Sequence, residues 1–132
     1  MGVSTDDFAT ISDFWGRYCW AVDENRADDW VALFTEDGVF TGFGPEPLVG
    51  REALKAIPAS SFALSGGAMR HAFANLYLDY GESRDEVIAH LYNMVTNWKD
   101  GGAFQVMAVC KALLVRDGAS WKVRRNDAVM MR

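Results

Sequence analysis

Histidine and cysteine are scarce in this chain of 132 residues, with two of each, and neither type is clustered with carboxylates at the spacing of a metal site. No metal or other cofactor is expected. A disulfide framework is equally absent. Cys19 falls in a helical pattern and Cys110 in a strand pattern, which suits reduced core thiols and makes a cytoplasmic location the default expectation. Basic residues are outnumbered, 13 Lys and Arg against 18 Asp and Glu for a net charge of -5, so neither nucleic acid nor an anionic membrane is an expected partner. Lys122, Arg124 and Arg125 make the one local basic cluster, and a solvated strand face accounts for it. No apolar run has the length of a membrane span, and the acidic N-terminal stretch has no signal-peptide pattern. Repeats and low-complexity tracts are missing too, and the length predicts one domain over 1–132.

What is present is a chain half hydrophobic by composition, at 50%, divided into a helical first half and a strand-rich second half. Phe8, Ile11, Trp15, Tyr18 and Val22 recur at spacings of three and four, the helical period. Ser4 and Asp7 open this helix in the manner of a capping box, and it runs to about Glu24. Asp28 or Asp29 caps a short second helix through Trp30, Leu33 and Phe34, stopped by TEDG. A short strand over 39–41, the loop GFGPEPLVG and a third helix over 51–57, ended by Pro58, complete the first half. Then MRHAFANLYLDYG, EVIAHLYNMVTNWK, AFQVMAVCKALLVR and SWKVRRNDAVMM read as four long strands, rich in aromatic and β-branched residues and separated by turn chemistry. Three N-terminal helices packed on a strongly curved antiparallel sheet make an α+β cone. Strands this long in a chain this short must bend, and bulges are the means.

Strand parity decides which side chains enter the cone. In the last strand Trp121, Val123, Arg125, Asp127 and Val129 share one face, while Lys122, Arg124 and Asn126 share the other. The first set is the apolar one, which predicts Arg125 and Asp127 inside, as partners of each other or of a ligand. In the first long strand His71, Phe73, Asn75 and Tyr77 alternate with Ala72, Ala74, Leu76 and Leu78, and either face is compatible with the interior. The strand over 103–116 is apolar on both faces. A sheet of that kind needs a second cover, so a homodimer or homotrimer is expected.

Asp23 poses the functional question. It sits on the flank of the apolar stripe of the first helix, in the last turn, where the helix dipole disfavours a carboxylate by about 0.3–1 kcal/mol. The segments YCWAVDENRADDWVALFTEDGVF, VGREALKAI and RHAFANLYLDY, with a GASWKV turn before the last strand, resemble the SnoaL-like polyketide cyclases and scytalone dehydratase-like proteins of the nuclear transport factor 2 superfamily. The resemblance spans nearly the whole chain. Scytalone dehydratase, hexachlorocyclohexane dehydrochlorinase and bile acid dehydratase pair a catalytic histidine and aspartate at places that match His71 and Asp23. The resemblance also implies a substrate-polarising or orienting role for Tyr18, and a substrate-facing place for Asn97, where scytalone dehydratase has a second histidine. Asp127 falls roughly where SnoaL-type cyclases use an acidic residue. Ketosteroid isomerase, by contrast, keeps its general-base aspartate at about the position of Gly42, so isomerisation by that route is not expected.

The chemistry suits that pairing. A carboxylate bonded to one imidazole nitrogen fixes the tautomer and stabilises the imidazolium, leaving the other nitrogen to abstract a proton. The expected activity is a cofactor-free lyase or isomerase, of dehydratase or cyclase type, acting on a hydrophobic polycyclic or aromatic metabolite. The other function the superfamily offers is a non-catalytic ligand-binding or small-subunit module, such as a ring-hydroxylating dioxygenase small subunit. The plain structural roles are then a hydrogen-bonding residue for His71, a helix-end carboxylate bonded to a neighbouring amide for Asp23, a core residue with its hydroxyl satisfied for Tyr18, and mutual neutralisation for Arg125 and Asp127.

Overall fold

The structure is a computed structural model that describes residues 2–131. Helix α1 spans Thr5–Asp23, and α2 spans Ala27–Val31. Strand β1 (Phe34–Thr41) and the two-residue β2 (Leu48–Val49) precede α3 (Arg51–Leu54) and α4 (Ala56–Ser65). Four long strands follow: β3 (Met69–Tyr80), β4 (Glu86–Asn97), β5 (Ala103–Asp117) and β6 (Ser120–Met131). The sheet order is β2-β1-β6-β5-β4-β3. All neighbours are antiparallel except β1 and β6, whose parallel pairing makes the sheet mixed. No helix among the described residues is long and apolar enough to cross a membrane.

The N-terminus of α1 forms half of the expected capping box. Ser4 Oγ accepts from the Asp7 amide at 3.2 Å, but the Asp7 carboxylate turns away to accept from Arg116 and Tyr80. That is the stronger choice for a carboxylate, because a guanidinium gives charge-assisted bonds. The helix buries Ile11, Phe14, Trp15, Tyr18, Cys19 and Val22, whereas Phe8, at its first turn, stays partly exposed at 44%. Pro58 does not end a helix. It lies in the first turn of α4, where a missing N–H costs nothing, and the third helix is instead two pieces joined through Lys55, whose backbone stays helical. The arginine of the GREAL segment is structural: Arg51 donates twice to the Phe34 carbonyl, at 2.6 and 3.2 Å, and so holds the start of β1 under the helices.

Three single-residue bulges bend the long strands. Each adds a residue on one strand against its partner and so reverses the inward–outward alternation beyond it. In β3 the extra residue is Asn75, at φ 55°; in β5 it is Gln105; in β6 it is Arg124, between Val123 opposite Leu114 and Arg125 opposite Leu113. The Arg124 bulge overturns the expected parity of the last strand. Trp121 and Val123 are buried as predicted, but beyond the bulge the inner face carries Asn126, Ala128 and Met130. Arg125 and Asp127 are turned to the outside of the sheet.

Candidate active site

Ser65 sets the start of β3. It ends α4, donates to the Ser61 carbonyl at 2.8 Å, and accepts from the amides of Ala68 and Met69 at 3.1 and 3.0 Å. Two residues on, His71 faces the cone. Because β3 is the free edge of the sheet, the His71 amide has no strand partner, and an unpaired edge donor needs an acceptor. Asp23, arriving in the last turn of α1, supplies it. Both carboxylate oxygens accept from the His71 amide, at 3.1 and 3.0 Å, and Oδ1 also lies 2.6 Å from His71 Nδ1. An ionised carboxylate only accepts, so Nδ1 carries the proton and Nε2 is left as the basic nitrogen. The pair is largely shielded from water, with the side chains 13% and 7% exposed.

His71 lines a cavity of about 290 Å³ enclosed by β1, α4 and the inner faces of β3 to β6. Its walls are mainly apolar, among them Phe40, Ile57, Met69, Val95, Ala108 and Met130. Ser60, Ser61, Asn93, Gln105 and Asn126 supply its polar groups. Among the described residues no Lys, Arg, Asp or Glu lines it. Cys110 lies in the wall as a neutral thiol, pushed up to about 11 by burial. Cys19, pushed up to about 12 by burial, is likewise protonated. Among the described residues no three His, Cys, Asp or Glu side chains come together as metal ligands would.

The other expected site residues are placed differently. Tyr18 does not line the cavity; it is fully buried behind it, packed against Trp15, Trp30 and Phe34, and it meets Asn126 Nδ2 at 3.1 Å. Asn97 lies beyond the cavity at the end of β4, where its side chain accepts from the Lys99 amide at 3.0 Å and shapes the turn to β5. Arg125 and Asp127, half-exposed on the outer face, form an ion pair at 2.9 Å, and Asp127 also accepts from Thr41 at 2.7 Å. These bonds hold the Asp127 carboxyl below the usual range against the opposing effect of partial burial. Neither residue reaches the cavity, because of the bulge at Arg124. His90 stacks on Tyr77 at 4.4 Å on that same outer face. Asn126 is a cavity residue that the expected strand parity placed outside, and two consecutive arginines in β6 were the available sign of a bulge; Asn93 on β4 was not singled out by the sequence.

Gly42 explains a further absence. It takes φ 97°, and the Ala128 carbonyl occupies the place where its Cβ would stand, so this position holds no side chain and no carboxylate base.

This chain belongs to the SnoaL-like domain family, whose family model matches residues 3–127. Among solved structures it is similar to Aln2 from a Streptomyces species, at 21% identity and a TM-score of 0.89, covering 98% of this chain and 94% of that one. It is similar to a nuclear transport factor 2-like protein with a cystatin-like fold from Novosphingobium aromaticivorans, at 19% identity and a TM-score of 0.81, with 95% and 82% covered. A protein from the same species provisionally assigned as a scytalone dehydratase matches at 18% identity and a TM-score of 0.74, with 96% and 85% covered. Likeness at these identities establishes the shared α+β cone. No curated protein matches the sequence.

Proposed function

We propose that this protein is a cofactor-free lyase or isomerase, of dehydratase or cyclase type, in which His71 is the general base and Asp23 its orienting partner. The observation that carries this reading is the 2.6 Å contact between Asp23 Oδ1 and His71 Nδ1, made by a histidine that lines a mainly apolar cavity. In the dehydratase form, Nε2 takes the proton from a carbon next to a carbonyl, and the C–H electron pair passes into an enolate. The enolate expels a β-hydroxyl, which leaves as water with the proton returned by the imidazolium, and a conjugated double bond remains. Asp23 stabilises the imidazolium between these steps. In the cyclase form the same enolate carbon attacks a second carbonyl of the ligand, whose C=O π pair becomes an alkoxide that takes the proton back from the imidazolium.

The cavity volume lies at the small end of the range for ligand sites, about 300–1,000 Å³. Apolar walls with a few neutral polar groups favour a small, uncharged aromatic ligand. Neutral bicyclic β-hydroxyketones offered to the protein should lose water, read as the ultraviolet absorbance of the conjugated product. His71→Ala should abolish that conversion while keeping the fold and the ability to bind. Conversion by the alanine variant at the wild-type rate would refute the proposal.

A further inference from the structure

Asn126 and Tyr18 leave a hydrogen-bond mismatch at the wall of the cavity. Asn126 is 2% exposed and lines the cavity. With the carboxamide set so that Nδ2 donates to Tyr18 Oη at 3.1 Å, Asn126 Oδ1 is buried with no partner. The Tyr18 hydroxyl then accepts from the amide and meets no acceptor for its own proton among the described residues. That proton stays in place, since burial pushes the phenol well above its usual range. An unpaired buried acceptor costs on the order of tenfold or more in population, and the two ends of a carboxamide have nearly the same shape. Turning the amide through half a turn lets Tyr18 donate to Oδ1. It also places the NH2 group where the unpaired oxygen stood.

The charge inventory of the cavity shows what such a donor is for. Proton abstraction by His71 builds negative charge on the substrate's carbonyl oxygen, and among the described residues no lysine or arginine lines the cavity to meet it. A fixed, desolvated neutral donor is an effective alternative. We infer that Asn126, held by Tyr18 with its NH2 group toward the cavity, stabilises the substrate oxyanion, and that Tyr18 is a positioning residue acting only through Asn126. The inference rests on His71 being the base, because it is that step which creates the charge. It also specifies the ligand: uncharged, with a ketone or quinone oxygen that reaches Asn126 while the acidic carbon lies at His71.

The probe is 4-nitrophenol, whose phenolate is an aromatic oxyanion visible by its absorbance, with 4-nitrotoluene as a control of the same shape that cannot ionise. The wild-type protein should bind the phenolate in preference to the phenol, lowering the apparent pKa of the probe. Asn126→Ala should weaken phenolate binding roughly 10- to 100-fold, the range of a charge-assisted hydrogen bond, and change 4-nitrotoluene binding by less than about twofold. Tyr18→Phe should show the same selective loss at smaller size, whereas a merely structural tyrosine would weaken both probes together. Equal losses for both probes, or full phenolate affinity in Asn126→Ala, would overturn the inference. A wild-type protein with no phenolate preference, but with carbon-acid exchange that depends on His71, would overturn it and leave the acid–base reading standing.

Discussion

Asp23 has two tasks that different substitutions separate. Its carboxylate caps the edge-strand amide of His71 and orients the ring, which accounts for a negative charge in a helix's last turn. Asp23→Asn keeps an oxygen for the amide but allows the wrong tautomer and cannot stabilise the imidazolium. It should leave the melting temperature nearly unchanged and lower turnover by a factor on the order of 10² to 10⁴. Asp23→Ala also strips the amide of its acceptor, costing about 1–3 kcal/mol, so thermal denaturation should separate the two variants while both remain slow. At this scale much of the site was legible. Asp23 stands on the flank of a helical stripe where a carboxylate is unfavourable, and that anomaly, with the resemblance around RHAFANLYLDY, singled out His71. Asn126 was missed, because its facing depends on one inserted residue, Arg124, which the alternation of the strand does not record and only the two consecutive arginines signal.

The elements show the same division between what spacing determines and what pairing determines. The helix opening at Ser4 and the four long strands follow from caps and periods. The parallel docking of β1 on β6 does not, since it depends on contacts between residues more than eighty positions apart. Deleting Arg124 makes a specific test, because it removes the bulge yet leaves Val123 and Asn126 on the same face. The variant should fold, by circular dichroism, and should lose turnover as β6 straightens and the cavity changes shape. A second element-scale feature ties α1 to the opposite end of the sheet. Arg116 pairs with Asp7 and Asp85 and lies 4.4 Å over the Trp121 ring. The Arg116 guanidinium, with help from Tyr80, holds the Asp7 carboxyl below the 3.8 of an unperturbed aspartate. A depressed folded value contributes stability above the unfolded pKa and loses it as pH falls through the folded one. Asp7→Asn should therefore melt lower than wild type at neutral pH, with the gap closing only below about pH 3.8. A gap that stays constant into acid would show that the ion pair contributes nothing.

The whole molecule presents an outer sheet face that a monomer leaves uncovered. Tyr77, Tyr92, Val109, Val129 and Met131 are all exposed there, interrupted by Lys111 and by the Arg125 and Asp127 pair. Apolar area of this kind marks an association surface, and a second or third copy of the chain is its expected cover. Light scattering should give a dimer or trimer, and Val129→Glu should shift it toward monomer without unfolding it. A wild-type monomer at working concentrations would count against this face as an interface. The apolar alternation of β5 made this exposed apolar face legible in the sequence. The inner face, where no Lys, Arg, Asp or Glu among the described residues lines the cavity, was not legible, because the expected parity of β6 placed Arg125 and Asp127 inside it.

The central claim is that His71, held by Asp23, removes a proton from carbon. The most direct measurement is hydrogen–deuterium exchange at the carbon beside the carbonyl of 2-tetralone, a neutral bicyclic ketone, followed by proton NMR in deuterated buffer. It isolates the first step from whatever bond is made or broken later. Wild-type protein should exchange the activated C–H well above the buffer rate, Asp23→Asn should fall by a factor on the order of 10² or more, and His71→Ala should return to the buffer rate. Exchange by His71→Ala as fast as wild type, or wild-type exchange no faster than buffer, would contradict the account.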